Sequence, residues 1–461
     1  MSDAPTPVTR RSFRLDRPQP AASPTLAGQP EPPLRALHPD MVAGTLAVLK
    51  NGLHDRGGAI ATTLAQDAIK AGASDVHLDP TRSGCVVRFR INGVLYDTQV
   101  FLEGGAQRLV NQIKTAAEID PLPAFKAQEG RWHVNHEGRH LDLRVTTIPA
   151  AGGEKMSIRL LDPKRAGQQL GTIGLCGDHY EKIQRWSENA DGLFLTVGPT
   201  GSGKTTTLYA LLQRFRETAR SVVTVEDPVE FRLEGVSQIQ VNERHGLTFG
   251  SALRSTLRLD PDVVMVGEVR DDDSASAAVD AAITGRVVLS SLHCRDAASA
   301  VTALRNWGLS NPQIAASLRI VVAQRLVRRL DPSASVKVDL TDSDLHWLRV
   351  VGAEPPAVSF EPAPDADPHA LKGAGRTGVY EVLELTENDV DLILADASER
   401  ELRRALHARG HATLVADGLA KVEAGLISLH DLRQAVGVPR HGLKGRAATR
   451  AGDAAEDRRA A

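Results

Sequence analysis

The amino-acid sequence predicts an α/β protein, with a large domain built on a parallel sheet and a smaller α+β domain ahead of it. Three observations carry that reading. The apolar run 193–197 feeds a glycine-rich loop, Gly198-Pro199-Thr200-Gly201-Ser202-Gly203-Lys204-Thr205-Thr206, after which Leu208, Leu211, Leu212 and Phe215 recur at helical spacing. From about residue 170, β-rich runs at 193–197, 221–225, 263–266 and 287–292 alternate with helical stretches, the pattern of a three-layer fold. Before that point, short alternating runs flank turn residues, which suits hairpins.

Taken in order, residues 1–39 combine many prolines with arginines and small residues and show almost no apolar periodicity, which predicts a disordered leader. The α+β domain is expected over 40–165. Within it Leu64, Ala65, Ala68 and Ile69 form a helical stripe, and 85–95 alternates like two strands around Asn92-Gly93. A second strand pair is expected at 131–134 and 140–147, separated by Asn135-His136-Glu137-Gly138. Residues 162–169 read as the linker, and the large domain then covers 170–440. Its segment 331–375 is polar and Pro-rich, a divergent insert. Helices resume at 398–407, where Ser398 and Glu401 have capping-box spacing, and at 414–422. The tail 441–461 is expected to be disordered. There is no internal repeat and no heptad pattern.

Composition narrows the function classes. With 461 residues and 42% hydrophobic content, the chain can bury two or three cores. Lys plus Arg number 55 against 57 Asp plus Glu, so there is no global field for nucleic acid, and 4% aromatic residues leave no stacking platform. Cys85, Cys176 and Cys294 lie far apart with no CxxC pair, as in a reduced, cytosolic protein. No 18-residue apolar stretch and no signal-like N-terminus occur. The expectation is a cytoplasmic chain with no direct membrane insertion, any membrane association coming through a partner.

The loop fits GxxxxGK[ST] in full, a pattern met by accident about one or two times in a hundred in a chain of this length. Its glycines let backbone N–H groups turn inward around phosphate oxygens, and a helix starting near Lys204 aims its positive end at them. Lys204 is expected at the β- and γ-phosphates of ATP, with the Thr205 hydroxyl on Mg²⁺. The run 263–266 delivers Glu268 to a strand's carboxyl end, where it is expected to orient the attacking water. Gly267 stands where a metal-binding aspartate would ordinarily follow such a strand. The metal's acid is therefore expected from Glu226 or Asp227, with Glu230 a weaker candidate, although acids around a proline also form ordinary turns.

These segments occur together as GPTGSGKTTTLY, TVEDPVEF, LRxxPDxxMVGExRD and TGxxVLSSLH ending at His293. Together they resemble the motif set of the secretion ATPases that drive type II secretion and type IV pilus assembly. Upstream, Ala73 to Pro80 and Arg88 to Val94 resemble that family's N-terminal domain. Downstream, Ala323-Gln324-Arg325-Leu326-Val327-Arg328 and Gly375 to Glu381 resemble its C-terminal portion, so roughly 45–440 is covered. The resemblance implies a RecA-like P-loop domain with a PAS-like N-terminal domain. It also implies a cytoplasmic homo-hexamer that couples ATP hydrolysis to assembly of a pseudopilus or pilus, working with an inner-membrane platform and a cytoplasmic adaptor. It places His293 between nucleotide and subunit interface, and gives Arg144, Arg159, Arg254 and Arg258 as nucleotide-side arginines.

Two departures stand out. The family's usual TGH is here Thr284-Gly285-Arg286, and Arg286 is a candidate replacement charge. Many assembly ATPases carry two CxxC pairs after the QRLVRxL segment, suited to zinc. Here no cysteine follows Cys294, so zinc is not expected and 331–375 must fold without that staple or stay flexible. A pilus retraction ATPase and a nucleotide-gated scaffold with weak turnover remain the alternatives. The segment GRTGVYEVLEL speaks against the first, and retained Lys204, Thr205 and Glu268 against the second.

Overall fold

In a computed structural model, residues 59–122, 125–161, 167–363 and 375–437 are described. The expected leader and tail lie outside them, as do residues 40–58, most of the expected linker and the end of the insert.

The first part is an antiparallel sheet covered on one face by two helices, α1 (Ala59–Lys70) and α2 (Glu103–Ala116). Its strands are β1 (Ala73–Thr81), β2 (Gly84–Ile91), β3 (Val94–Leu102), β4 (Gln128–His136), β5 (Arg139–Ala150) and β6 (Gly153–Leu161), in the spatial order β3-β2-β1-β6-β5-β4. Strict alternation in β2 buries Cys85, Val87, Phe89 and Ile91 under the helices, beside Leu64, Leu109 and Ile113. The opposite face is charged. Arg88 pairs with Asp79 and Asp97, and Arg159 with Asp75.

The second part is a seven-stranded sheet in the order β15-β12-β7-β11-β10-β8-β9. Its strands are β7 (Leu193–Val197), β8 (Val222–Glu226), β9 (Ser237–Gln240), β10 (Val263–Val266), β11 (Val287–Leu292), β12 (Leu318–Arg328) and, after a small β13–β14 pair (Ser335–Val338 and Ser359–Pro362), β15 (Arg376–Glu384). All neighbours are parallel except β15, which pairs antiparallel with β12. Strands β7, β8, β10 and β11 are buried at every residue, as a sheet covered on both faces requires.

Helices α3 (Gly177–Glu188) and α4 (Lys204–Arg216) supply one covering layer: Ile183, Leu208, Leu211 and Phe215 pack on Phe194 and Met265. The other layer comprises α5 (Phe249–Thr256), α6 (Asp272–Ile283), α7 (Ala297–Asn306) and α8 (Asn311–Ser317), packed on Leu195, Val264 and Val288. The alternation within β7, Leu195 to one side and Phe194 to the other, makes the expected three layers.

The described part of the insert, 331–363, folds without a cysteine staple. Its β13–β14 pair brackets α9 (Asp342–Val351), and the closing helices are α10 (Glu387–Leu394), α11 (Glu399–Ala408), α12 (Leu414–Glu423) and α13 (Leu429–Val436). Trp347 donates to the Gly437 carbonyl at 3.0 Å, Arg433 pairs with Asp344, and the His430 amide donates to Glu361 at 3.3 Å. Side-chain and backbone bonds to α13 thus occupy the role that thiolates on zinc play in a stapled loop. As expected, Ser398 and Glu401 form a reciprocal capping box at the start of α11.

Candidate nucleotide site

The glycine loop leaves β7 at Val197 and enters α4 at Lys204, and the chain turns there only because of its glycines. Gly198, Gly201 and Gly203 have φ of 157°, 78° and 91°, the region that L side chains rarely adopt. A Cβ on Gly198 would sit 2.5 Å from Ser202 Oγ and 2.7 Å from the Gln324 carbonyl, so the loop is pressed against β12. The Gln324 amide donates to the Ser202 carbonyl at 2.9 Å from a fully buried position. Gln324 is a support that the sequence reading quoted within a motif but did not select.

Lys204 Nζ donates to the carbonyls of Gly198 at 2.9 Å and Pro199 at 3.3 Å, so its ammonium lies in the mouth of the loop. Burial lowers its pKa, while Glu268 works in the opposite direction. Three other strand ends converge on this point, as the crevice rule for open α/β sheets demands. Asp227 follows β8, Glu268 follows β10 and His293 follows β11, with His293 Nε2 3.4 Å from Glu268 Oε2. The cleft they border is about 1150 Å³ and extends to Asp75, Arg90, Asn92 and Arg159 of the first part. A phosphate chain with Mg²⁺ fits this donor set. Inward-turning loop amides and an ammonium face one side, and the hard oxygens of Thr205, Asp227 and Glu268 border the other. The Ser202 hydroxyl is buried without a protein partner, a polar atom left for a ligand or water to satisfy.

The remaining sequence candidates land unequally. Glu226 borders the cleft but is 3% exposed, and both its oxygens are taken. Tyr209 donates to Oε2 at 2.5 Å, Thr224 to Oε1 at 2.6 Å and Gln238 to Oε1 at 3.1 Å. Burial pushes this carboxyl above its ordinary range despite those bonds, so it favours a proton over a metal. Asp227, one residue on, is open to solvent, and its partner is the exposed Arg270 at 2.7 Å, so it is the acid that can turn to an ion once that pair opens. Glu230 lies 4.0 Å from Arg144.

Arg144, on β5, donates to the Val229 carbonyl at 2.7 Å and so holds the acidic segment of its own chain. Arg159 borders the cleft while pairing with Asp75 at 3.2 Å. Arg254 and Arg258 are not among the residues bordering the cleft. Helix α5 turns Phe249, Leu253 and Thr256 to the core, which leaves Arg254 on the solvent side, paired with Asp273 at 2.5 Å. Arg258 bonds to the Arg254 carbonyl and to Ser255. Arg286 precedes β11 while His293 follows it. A six-residue strand, about 20 Å long, separates the two, so Arg286 does not replace a charge at the site.

One functional candidate escaped the sequence reading. Arg270 pairs with Glu268, donates to Asp227 Oδ2 at 2.7 Å, and lies 5.4 Å over the Phe249 ring. The signal was its spacing: in extended chain, a residue two after Glu268 points to the same side.

Comparison with known proteins gives a consistent picture. The model of the family described as type II/IV secretion system protein matches residues 58–434. The chain is 37% identical over 366 residues to the type II secretion system ATPase E of Vibrio cholerae, covering 79% of this chain and 72% of that one. It is 38% identical over 368 residues to the type II secretion system protein E of Pseudomonas aeruginosa, with the same two coverages. It is 36% identical over 373 residues to the type IV pilus assembly ATPase PilB of Acinetobacter baylyi, covering 80% of this chain and 64% of that one. In fold it is similar to the Legionella pneumophila ATPase DotB, with a TM-score of 0.59 at 21% identity over 81% of this chain and 94% of that one. The pilus retraction motor PilT with bound ADP gives a TM-score of 0.54 at 23% identity, over 82% and 97%.

Proposed function

The chain belongs to the type II/IV secretion system protein family and is a P-loop ATPase of secretion and pilus assembly, and on that premise we propose that it works as a homo-hexamer. In this reading it stands at the cytoplasmic face of an inner membrane, bound there through a platform protein and an adaptor. Among the described residues no helix is long and apolar enough to cross a membrane, so a partner-borne attachment suits it. The observation that carries the catalytic reading is the convergence of Lys204, Asp227, Glu268 and His293 at adjacent strand ends.

In mechanism, the loop amides and Lys204 hold the β- and γ-phosphates of the substrate, and Thr205 and Asp227 hold the ion. Mg²⁺ supplies charge neutralisation on the transferring phosphoryl group. Glu268 orients the attacking water and accepts its proton, and His293 steadies the second oxygen of that carboxylate. Mg²⁺ typically takes one or two carboxylates plus phosphate oxygens and water. The lack of any three-residue His, Cys, Asp and Glu cluster among the described residues therefore agrees with a site that the substrate completes.

Assembly is preferred over retraction because the secretion and assembly ATPases match at 36–38% identity, whereas the retraction motor's 23% is a likeness of fold. The test is Mg²⁺-dependent ATP hydrolysis by the full chain. Lys204→Ala is expected to lose nucleotide affinity. Glu268→Gln is expected to keep it and to slow turnover about 10²- to 10⁴-fold. Nucleotide binding by an assembled wild-type ring with no turnover would leave the scaffold reading instead.

A further inference from the structure

Among the described residues, Arg270 is the only basic side chain that bonds both of the acids assigned above to metal and water. Its Nε binds Glu268 Oε1 and its Nη1 binds Asp227 Oδ2, while Phe249 lies beneath the guanidinium. Burial works against its charge, yet the two carboxylates hold its pKa above the ordinary value. One planar cation thus bridges the ends of β8 and β10, which the sheet sets side by side. That is the position from which a divalent ion would meet Asp227 on one side and approach Glu268 on the other.

We propose that Arg270 and a divalent cation compete for Asp227 beside the Glu268 carboxylate, so that Arg270 must swing off Asp227 before the ion can enter. The inference rests on the reading of Asp227 and Glu268 as the acids of a nucleotide site. Arg270 is then a positioning residue: it neutralises two neighbouring carboxylates that would otherwise repel each other, and it releases them when a stronger cation arrives with the substrate. Its geometry allows the exchange. The side chain is 45% exposed, so the guanidinium has solvent to move into, and the Phe249 face keeps it close by. A lysine could not do the same work, because an ammonium is a point charge without the fork that spans two acceptors.

The experiment measures Mn²⁺ binding to the full chain by the loss of the free-ion paramagnetic resonance signal, first without nucleotide and then with ADP. Without nucleotide, the wild type is expected to bind Mn²⁺ weakly. Arg270→Gln is expected to bind it at least about tenfold more tightly, since two carboxylates lose their resident cation. Arg270→Lys should fall between them. Adding Asp227→Asn to Arg270→Gln should remove the gain and so locate it. Unchanged or weaker Mn²⁺ binding in Arg270→Gln, in protein whose melting temperature matches the wild type, overturns the proposal; if that variant does not fold, Arg270→Lys at the wild-type affinity overturns it. The measurement needs no turnover. A wild type that hydrolyses no ATP would count against the proposed function, whereas normal hydrolysis with Mn²⁺ affinities insensitive to Arg270 would count against this inference alone.

Discussion

Replacing Glu226 separates a metal ligand from a buried strut. In Glu226→Ala, the Tyr209 hydroxyl, the Thr224 hydroxyl and the Gln238 amide each lose an acceptor, at 2.5, 2.6 and 3.1 Å in the intact chain. An orphaned buried donor costs about 1–3 kcal/mol, so the two buried hydroxyls cost roughly 2–6 kcal/mol, while the half-buried Gln238 amide keeps the Phe231 carbonyl and adds little. For a domain of this size that lowers the melting temperature by roughly 4–20 °C. Glu226→Gln keeps the shape and accepts from Thr224 and Gln238, but its amide meets the Tyr209 hydroxyl as a second donor, so it should lose one acceptor's worth, about 1–3 kcal/mol, and less than Glu226→Ala. The sign of the pH dependence follows from the raised carboxyl. Above the ordinary pKa of 4.5, the folded state holds a proton that the unfolded state releases. Wild-type stability therefore falls as pH rises through that window, and Gln, which does not titrate, gains on it. Thermal melts from pH 4.5 to 8, read beside ATPase rates at saturating Mg²⁺, make the assay. The reasoning fails if Glu226→Gln melts like wild type at every pH yet loses over about a hundredfold in Mg²⁺-dependent turnover, because a metal ligand, not a strut, would behave that way.

Arg144→Ala should loosen the acidic segment, read as faster amide hydrogen exchange over 226–231. If Arg144 acts through its own chain's Val229, mixing that variant with Glu268→Gln subunits should restore no activity, whereas recovery in mass-verified mixed rings would show that it acts on a neighbour's nucleotide. Asp344→Ala should lower the melting temperature. The Asp344 pKa is depressed: burial opposes this, but Thr341 and Arg433 outweigh it, so the stabilisation is present at neutral pH and is lost as pH falls through the folded value. Chelator treatment should leave the wild-type melt unchanged, since bonds to α13 hold the insert; a drop would point to a bound metal. At pH 8 iodoacetamide should label exposed Cys176 first, because burial pushes the thiols of Cys85 and Cys294 to about 11, with roughly a thousandth as thiolate. Peptide mass spectrometry gives the order, and Cys294 reacting as fast as Cys176 would contradict it.

The legible parts of the fold were those where one physical rule acts alone. Strands β7, β10 and β11 match their expected bounds because a strand buried on both faces must be a continuous apolar run bounded by turns. Strand β12 was quoted as a motif and not assigned, because Gln324, Arg325 and Arg328 break its apolar run. Gln324 supports the glycine loop, Arg325 donates to the Arg295 carbonyl, and Arg328 pairs with Asp431. A strand that carries side-chain contacts for its neighbours cannot also advertise itself by hydrophobicity. Its partner β15, although buried over most of its length, was hidden in the same way by Arg376, Thr377 and Glu381, the last donating no apolar signal while accepting from the Ala297 amide.

The site divides along the same line. Backbone-determined parts were readable, since glycines with positive φ and a helix that begins at Lys204 leave the loop few other shapes. Long charged side chains were not, because each can reach several partners and the sequence does not say which one it faces. Arg254 turns outward with the helix that carries it, and Arg144 is drawn to a carbonyl 85 residues away. Glu226 and Asp227 differ by one residue and therefore by one side of the chain, so one carboxyl is sealed among Tyr209, Thr224 and Gln238 while the other meets Arg270 in the cleft. At a strand's end, the alternation of side chains decides which of two adjacent acids faces the cleft, and composition alone carries no trace of that choice.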